Sequence, residues 1–526
     1  MTHENTRFTG MSRQAVDAAP PDRPRTRPPR TGLALLEACG WLAAGILVAG
    51  VAAGSTSEGY RWANGAIGVC CWLLGVRVFL GHGGYLLSAP SIFGFAFSVF
   101  FGVGGIYHAL LSSDFIQPWM CQALLLGYAA QVLLFFGFWR RRGDYQDPPA
   151  QSLPCSPGTR LILVSTGAVV LAAAGAWKAG GIASQQLQTL TLGAAFAAVT
   201  VIAAALVLDP AARILSLRTV FICGLIVIFV QYLHGGTGRL VIVALGFTVA
   251  SLYAIRFRTR LVKIGLVVCT LPVLQWMAVY RLSYVDSLAV GSSLNRTGLE
   301  SAMRPPGAFA ELLFAYERYG FELSHGRTFL SVPALIVPRA LWPGQPEALG
   351  YELARVTAPT RYGSGYSDAS SVFGEWFFNF GFPGLLLMVV VIGFTVRWLD
   401  RPMSMAMRLR SDAVRLVAMT TVVVVCAGVP DVVWSGTHTY AARTLARLPL
   451  LLLLLVVVHG ARSTVPLALG RGGATPPWRV GAGQAEPTAR RADLHSRGHE
   501  PARPPGNTLV ATPYAGSDRL EGGRKR

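Results

Sequence analysis

Two stretches decide the reading of this chain. The first is Gly326-Arg327-Thr328-Phe329-Leu330-Ser331-Val332-Pro333-Ala334-Leu335-Ile336-Val337-Pro338-Arg339-Ala340-Leu341-Trp342-Pro343-Gly344-Gln345-Pro346. The second is Ser364-Gly365-Tyr366-Ser367-Asp368-Ala369-Ser370-Ser371-Val372-Phe373-Gly374-Glu375-Trp376-Phe377-Phe378-Asn379-Phe380-Gly381. Both belong to a polar interval from Arg281 to Glu375 with long apolar runs on either side. Outside that interval the chain consists almost entirely of apolar runs of about 20 residues, long enough to cross roughly 30 Å of hydrocarbon. The fold expected is therefore all-α and polytopic, with about twelve transmembrane helices and one large external loop between spans 9 and 10.

Composition agrees. Of 526 residues 52% are hydrophobic and only 14% charged, where a soluble protein carries about a quarter. Apolar runs fall at about 33–53, 62–80, 91–111, 120–139, 161–177, 190–208, 220–233, 240–255 and 261–280, then at about 376–398, 413–428 and 445–458. The net charge of +20 invites a nucleic-acid reading, but its placement excludes one. Arginines crowd the tails and every second connection, as in Arg140-Arg141-Arg142, Arg256/Arg258/Arg260 and Arg397/Arg401. That is the pattern of cytoplasmic loops, and no basic helix interleaved with aromatics accompanies it. The alternation predicts an even number of spans, with both termini cytoplasmic and the chain in the cell's cytoplasmic (inner) membrane.

The expected organisation is a disordered tail over 1–31, spans 1–9 over 32–280, and an extracytoplasmic loop over 281–375. Spans 10–12 then cover 376–460, and a second disordered tail covers 461–526. The first tail is too polar for a signal peptide, so the first span is expected to act as an uncleaved anchor. None of the eight cysteines lies in the long loop, so neither a disulfide framework nor a metal cluster is expected. Within the loop, Pro306 to Tyr319 has apolar residues at helical spacing and reads as a helix in the membrane interface. Trp342 reads as an anchor at headgroup depth.

Chemistry is sought in the arginines and the few carboxylates. Arg239 opens span 8 after Gly235-Gly236-Thr237-Gly238, Arg281 closes span 9, and Arg339 and Arg361 lie in the loop. Several planar guanidiniums at one boundary suit a diphosphate, each able to make paired charge-assisted bonds, although a single arginine at a helix end commonly just snorkels. Glu375, where the loop re-enters the membrane, and Asp368 before it are the candidate general bases. Glu375 equally fits a capping role at the N-terminus of its own helix. No phosphate-binding loop, dinucleotide fingerprint, zinc motif or Asp-x-Asp pair is present, and no cofactor or metal is expected.

These residues resemble the O-antigen polymerase (oligosaccharide repeat-unit polymerase, Wzy-type) family. The likeness rests on the Gly-Gly-Thr-Gly-Arg239 turn, on Gly326 to Pro346 with its Pro338-Arg339…Trp342-Pro343…Pro346 run, and on Gly374-Glu375-Trp376-Phe377-Phe378-Asn379-Phe380-Gly381. It covers about 233–398. Gln345 departs from it, standing where the family pattern leads one to expect lysine. The resemblance implies metal-independent glycosyl transfer outside the membrane, lengthening an exopolysaccharide or surface polysaccharide of the cell envelope from undecaprenyl-diphosphate-linked glycans. It also implies work in the lipid bilayer beside a chain-length regulator and other envelope polysaccharide proteins.

Three alternatives remain at the level of sequence. An O-antigen ligase-like enzyme would share the donor and more often use a loop histidine such as His325. A flippase or transporter for lipid-linked oligosaccharide would need charges inside its spans, whose interiors read as nearly free of them apart from Glu37 and Arg77. A structural partner would use the loop as a platform.

Overall fold

The computed structural model describes residues 31–52, 56–139, 155–181, 185–214, 216–233, 239–286, 299–300, 302–337, 341–363 and 367–469, and every structural statement here concerns those. At 31–34, 185–186, 239–240, 280–286, 361 and 460–469 only the backbone is described. The tail at 1–30 and the tail from 470 onward lie outside the described residues.

Long apolar runs leave the backbone no partner but itself in hydrocarbon, and helices are the result. In chain order they are α1 (Thr31–Ala52), α2 (Ser57–Gly81), α3 (Ala89–Phe97), α4 (Gly104–Leu111), α5 (Gln117–Leu133), α6 (Pro157–Ala179), α7 (Gln185–Val207), α8 (Leu217–Ile228), α9 (Arg239–Phe257) and α10 (Leu261–Asp286). Three short helices follow, α11 (Arg304–Tyr319), α12 (Arg327–Leu330) and α13 (Leu349–Thr357). The chain continues through α14 (Ser371–Trp398), α15 (Arg401–Met407), α16 (Asp412–Ala427), α17 (Val429–Ser435) and α18 (Thr437–Leu469). A π-helical turn joins α3 to α4, and others extend α5 and α8.

The protein is all-α and polytopic. Ten helical segments are long and apolar enough to cross a membrane, and Leu217–Leu233 and Val241–Phe257 are shorter apolar helices. Together they fall on the twelve apolar runs of the sequence. Large apolar side chains such as Leu35, Ile46, Val268, Leu386 and Val456 stand about two-thirds exposed, which hydrocarbon would cover and water would not tolerate in such number.

Two apolar cores hold the bundle. One joins α2 to α5 with α11, α14 and α17, and the other joins α6 to α9 with α16 and α18. In the first, Gly75 and Gly94 let α2 and α3 touch backbone to backbone. A Cβ on Gly75 would stand 2.5 Å from the Gly94 carbonyl oxygen. In α11 the apolar face is buried against protein: Phe309, Ala310, Leu312 and Leu313 are covered, and Gly307 packs on the His108 ring.

The bundle has two chemically distinct ends. At one, Arg160 and Arg218 converge on Asp209, Lys263 donates to the Phe79 and His82 carbonyls, and the Ala89 N–H donates to Asp400. At the other, Arg61 pairs with Asp114, Trp119 donates to Glu317, and the Met303 carbonyl and His108 Nε2 are hydrogen-bonded. The connections after spans 2, 6, 8 and 10 share the first end, and α11 to α13 lie at the second.

Candidate functional site

The candidate site is built at a break in α14. Gly381 has φ 65° and ψ −152°, outside any helix, and Pro383 two residues on has no N–H to give the Asn379 carbonyl. The carbonyls released by the break are taken up from outside the helix: Ser324 N–H donates to Phe378 at 3.0 Å and His325 N–H to Asn379 at 2.9 Å. The donor segment turns sharply through His325 (φ 47°) and Gly326 (φ 87°) into α12.

Asn379 then locks that turn in place. Its Oδ1 accepts from Gly326 N–H at 3.0 Å, while its Nδ2 donates to Thr328 Oγ1 at 2.6 Å and to the Glu375 carbonyl at 2.7 Å. Thr328, Asn379 and Glu375 are all fully buried. Ser331, at the end of α12, is hydrogen-bonded to His438 Nδ1 at 2.7 Å, which brings in the start of α18. Phe329, Trp376 and Phe380 close over the turn with ring centroids 4.9–6.1 Å apart.

Glu375 is the centre of this arrangement. Its Oε2 accepts from the Thr437 N–H at 2.7 Å and from Thr437 Oγ1 at 2.8 Å. Its Oε1 is buried and has no hydrogen-bond partner among the described residues. The helix it caps is α18, where the sequence suggested its own, because α14 begins four residues before Glu375. Gly436 admits the carboxylate: its φ of 86° and ψ of −168° suit glycine, and a Cβ there would lie 2.6 Å from Oε2. A carboxyl with one oxygen fixed by two donors and the other unpartnered is held in register for one further donor, such as a hydroxyl.

Asp368 is differently placed. It is buried and engaged by Arg304, whose Nε reaches Oδ1 at 2.8 Å and whose Nη2 reaches Oδ2 at 2.6 Å. Arg304 also forks onto Glu311 at 2.5–2.6 Å. Burial alone would lower the Arg304 guanidinium, but its bonds to Asp368 and Glu311 outweigh that and hold it well above its ordinary value. This pair ties the start of α11 to the approach to α14, so of the two candidate carboxylates Glu375 keeps the open valence.

The predicted cationic set is only partly placed. Arg239 is the first residue of α9, Arg281 lies in the last turns of α10, and Arg361 ends a short 3-10 turn, with their side chains outside the described residues. Arg339 lies wholly outside the described residues. Trp342 is half-buried, and its carbonyl accepts from Gln345 N–H at 3.2 Å.

Several residues escaped the sequence reading. Thr328, Asn379 and Thr437 form the hydrogen-bonded frame, yet each is an ordinary polar residue with no spacing to mark it. The Gly326 to Ser331 and Gly374 to Gly381 segments could have pointed to Thr328 and Asn379, since the structure brings these two together. The expectation that span interiors are nearly free of charge is corrected as well. Asp431, Arg443 and Arg447 are charged residues inside membrane-spanning helices, and Arg443 Nη1 reaches Asp431 Oδ1 at 2.5 Å. Asp431 and Arg443 fell outside the apolar runs read as spans, since α17 and the first eight residues of α18 lie between the runs at 413–428 and 445–458, whereas Arg447 stood inside the last run and was overlooked.

No protein-family model, curated protein or solved structure matches this chain.

Proposed function

We propose that the protein lengthens polysaccharide from lipid-diphosphate-linked oligosaccharide repeats at the extracytoplasmic membrane face, with Glu375 as general base. The observation carrying this reading is the buried Glu375 carboxyl. One oxygen is clamped by Thr437, the other is buried without a partner among the described residues, and the site stands among helices contributed by the long inter-span segment. In the reaction the acceptor sugar's hydroxyl oxygen bonds to the donor's anomeric carbon as the bond from that carbon to the diphosphate breaks. The hydroxyl proton passes to Glu375, and the electron pair leaves with the lipid diphosphate, whose charge Arg239, Arg281, Arg339 and Arg361 would stabilise. The donor arrives activated, so no nucleotide is consumed.

The decisive experiment supplies purified protein with lipid-linked repeats as sole substrate. Chains should lengthen by whole repeats without nucleotide sugar, and Glu375→Gln should abolish this. A preparation that makes no polymer while remaining folded overturns the reading. In cells, loss of the protein should leave single repeats on lipid, and Arg339→Ala should do the same.

A second reading, transport of the lipid-linked glycan, is favoured by the intramembrane charges Asp431, Arg443 and Arg447. It predicts movement of unlengthened repeats across a vesicle membrane. A ligase would share the donor, and full activity of His325→Ala would count against a loop-histidine ligase.

A further inference from the structure

The last two helices carry a charge cluster that the polymerase reading does not use. Arg443 and Arg447, one turn apart on α18, face the same way. Both address Asp431 of α17, a buried residue: Arg443 Nη1 lies 2.5 Å from Oδ1, whereas Arg447 Nη2 stands 4.0 Å from Oδ2, beyond hydrogen-bond reach.

Arg447 is only 2% exposed, yet both of its terminal nitrogens lack a hydrogen-bond partner among the described residues, as does Asp431 Oδ2. Its guanidinium rests on the Phe196 ring of α7, 4.3 Å from the centroid. The backbones leave little slack there, for a Cβ on Gly193 of α7 would lie 2.2 Å from the Ala446 carbonyl oxygen. Arg447 is thus pinned on its apolar side while its terminal nitrogens stay buried without a hydrogen-bond partner among the described residues.

Two guanidiniums face one carboxylate, so the cluster holds net positive charge. Arg447 is the eleventh residue of α18 and stands at the start of the apolar run 445–458. Excess charge buried within a membrane-spanning bundle is costly and marks a functional site, and planar donor forks fit oxyanions. Arg443, whose side chain is 30% exposed, is the solvent-facing member of the pair.

We propose that Arg443 and Arg447 form an oxyanion site within the bundle that takes a phosphate group, and that Asp431 tempers its affinity. The site goes beyond the polymerase reading and stands or falls without it. A phosphate could come from a lipid headgroup or from a soluble ion, and two probes separate these.

The full chain is purified in an uncharged maltoside detergent, and its thermal midpoint is followed against inorganic pyrophosphate. In parallel it is placed in phosphatidylcholine nanodiscs with or without phosphatidylglycerol. Stabilisation by pyrophosphate indicates a soluble oxyanion, and stabilisation by phosphatidylglycerol alone indicates a headgroup. Arg447→Gln should weaken the effective probe by about tenfold or more, through loss of charged hydrogen bonds. Arg447→Lys keeps the charge without the fork and should fall between, which serves if the glutamine variant fails to fold.

Asp431→Asn is the sharper arm. It removes the opposing carboxylate and should tighten binding of the same probe, whereas damage to a merely structural ion pair cannot. The proposal is overturned if neither probe stabilises the wild type, if Arg447→Gln and Arg447→Lys respond as the wild type does, or if Asp431→Asn leaves binding unchanged or weaker.

Discussion

Glu375 is a residue whose role turns on two oxygens in different circumstances. Glutamine keeps the volume and an acceptor oxygen for the Thr437 donors, but it cannot take a proton from a hydroxyl. Glu375→Gln should therefore preserve the thermal midpoint of the purified protein within a few degrees and reduce polymer formation by at least about 100-fold. An equal fall in midpoint and activity would mean that the carboxylate is structural. Gly436→Ala should do the opposite, lowering the midpoint first, since the added methyl meets the carboxylate at 2.6 Å in a conformation that disfavours a side chain. A cost of about 2 kcal/mol is expected. Glu375 was legible in the sequence because a carboxylate beside Trp376 at the edge of an apolar run is conspicuous. Thr437 was not, because its function depends on which helix end Glu375 meets, and sequence separation does not encode that.

At the scale of elements, the break in α14 and the turn into α12 depend on each other. Gly381 and Pro383 free two carbonyls, the Ser324 and His325 amides occupy them, and Asn379 fastens the turn with its side chain. Removing that side chain deprives buried Thr328 and the Gly326 amide of partners at once. Asn379→Ala should cost about 3 kcal/mol and speed trypsin cleavage after exposed Arg327, read as fragments on a gel. Unchanged cleavage would show that the turn holds without Asn379. Asp368→Asn should cost less, about 2 kcal/mol, because Arg304 keeps its fork on Glu311. The apolar runs made the spans readable, since about 20 hydrocarbon-compatible residues admit few other structures. Helix starts were read late where polar residues open or interrupt the first turns, as at Ser371 and Glu375 in α14 and at Thr437 to Thr444 in α18.

Across the whole molecule, the arginine alternation of the sequence reappears as spatial sorting: the basic connections meet at one end, and the helices of the inter-span segment meet at the other. The basic end contains a titratable group placed to report on its integrity. His82, between α2 and α3, has Nδ1 hydrogen-bonded to Ser88 Oγ at 2.7 Å, and its carbonyl accepts from Lys263 at 2.6 Å. Burial first, then the nearby Lys263 and Arg397 charges, push the imidazole from 6.5 down to about 4, although a backbone hydrogen bond at Trp139 opposes them. Between those values the unfolded chain binds a proton that the folded one refuses, so stability is lost as pH falls from 6.5 towards 4. The loss amounts to about 2.6 kcal/mol across that interval. Carboxylates dominate at the acid end, so the informative range is its upper half, from 6.5 to about 5. There His82→Asn, which can still bond Ser88 but cannot become charged, should flatten the fall in thermal midpoint seen in the wild type. If both proteins lose stability with the same slope, the imidazole is not held neutral by burial and the Lys263 and Arg397 charges, and the α2–α3 connection is not packed closely against α10 and α14.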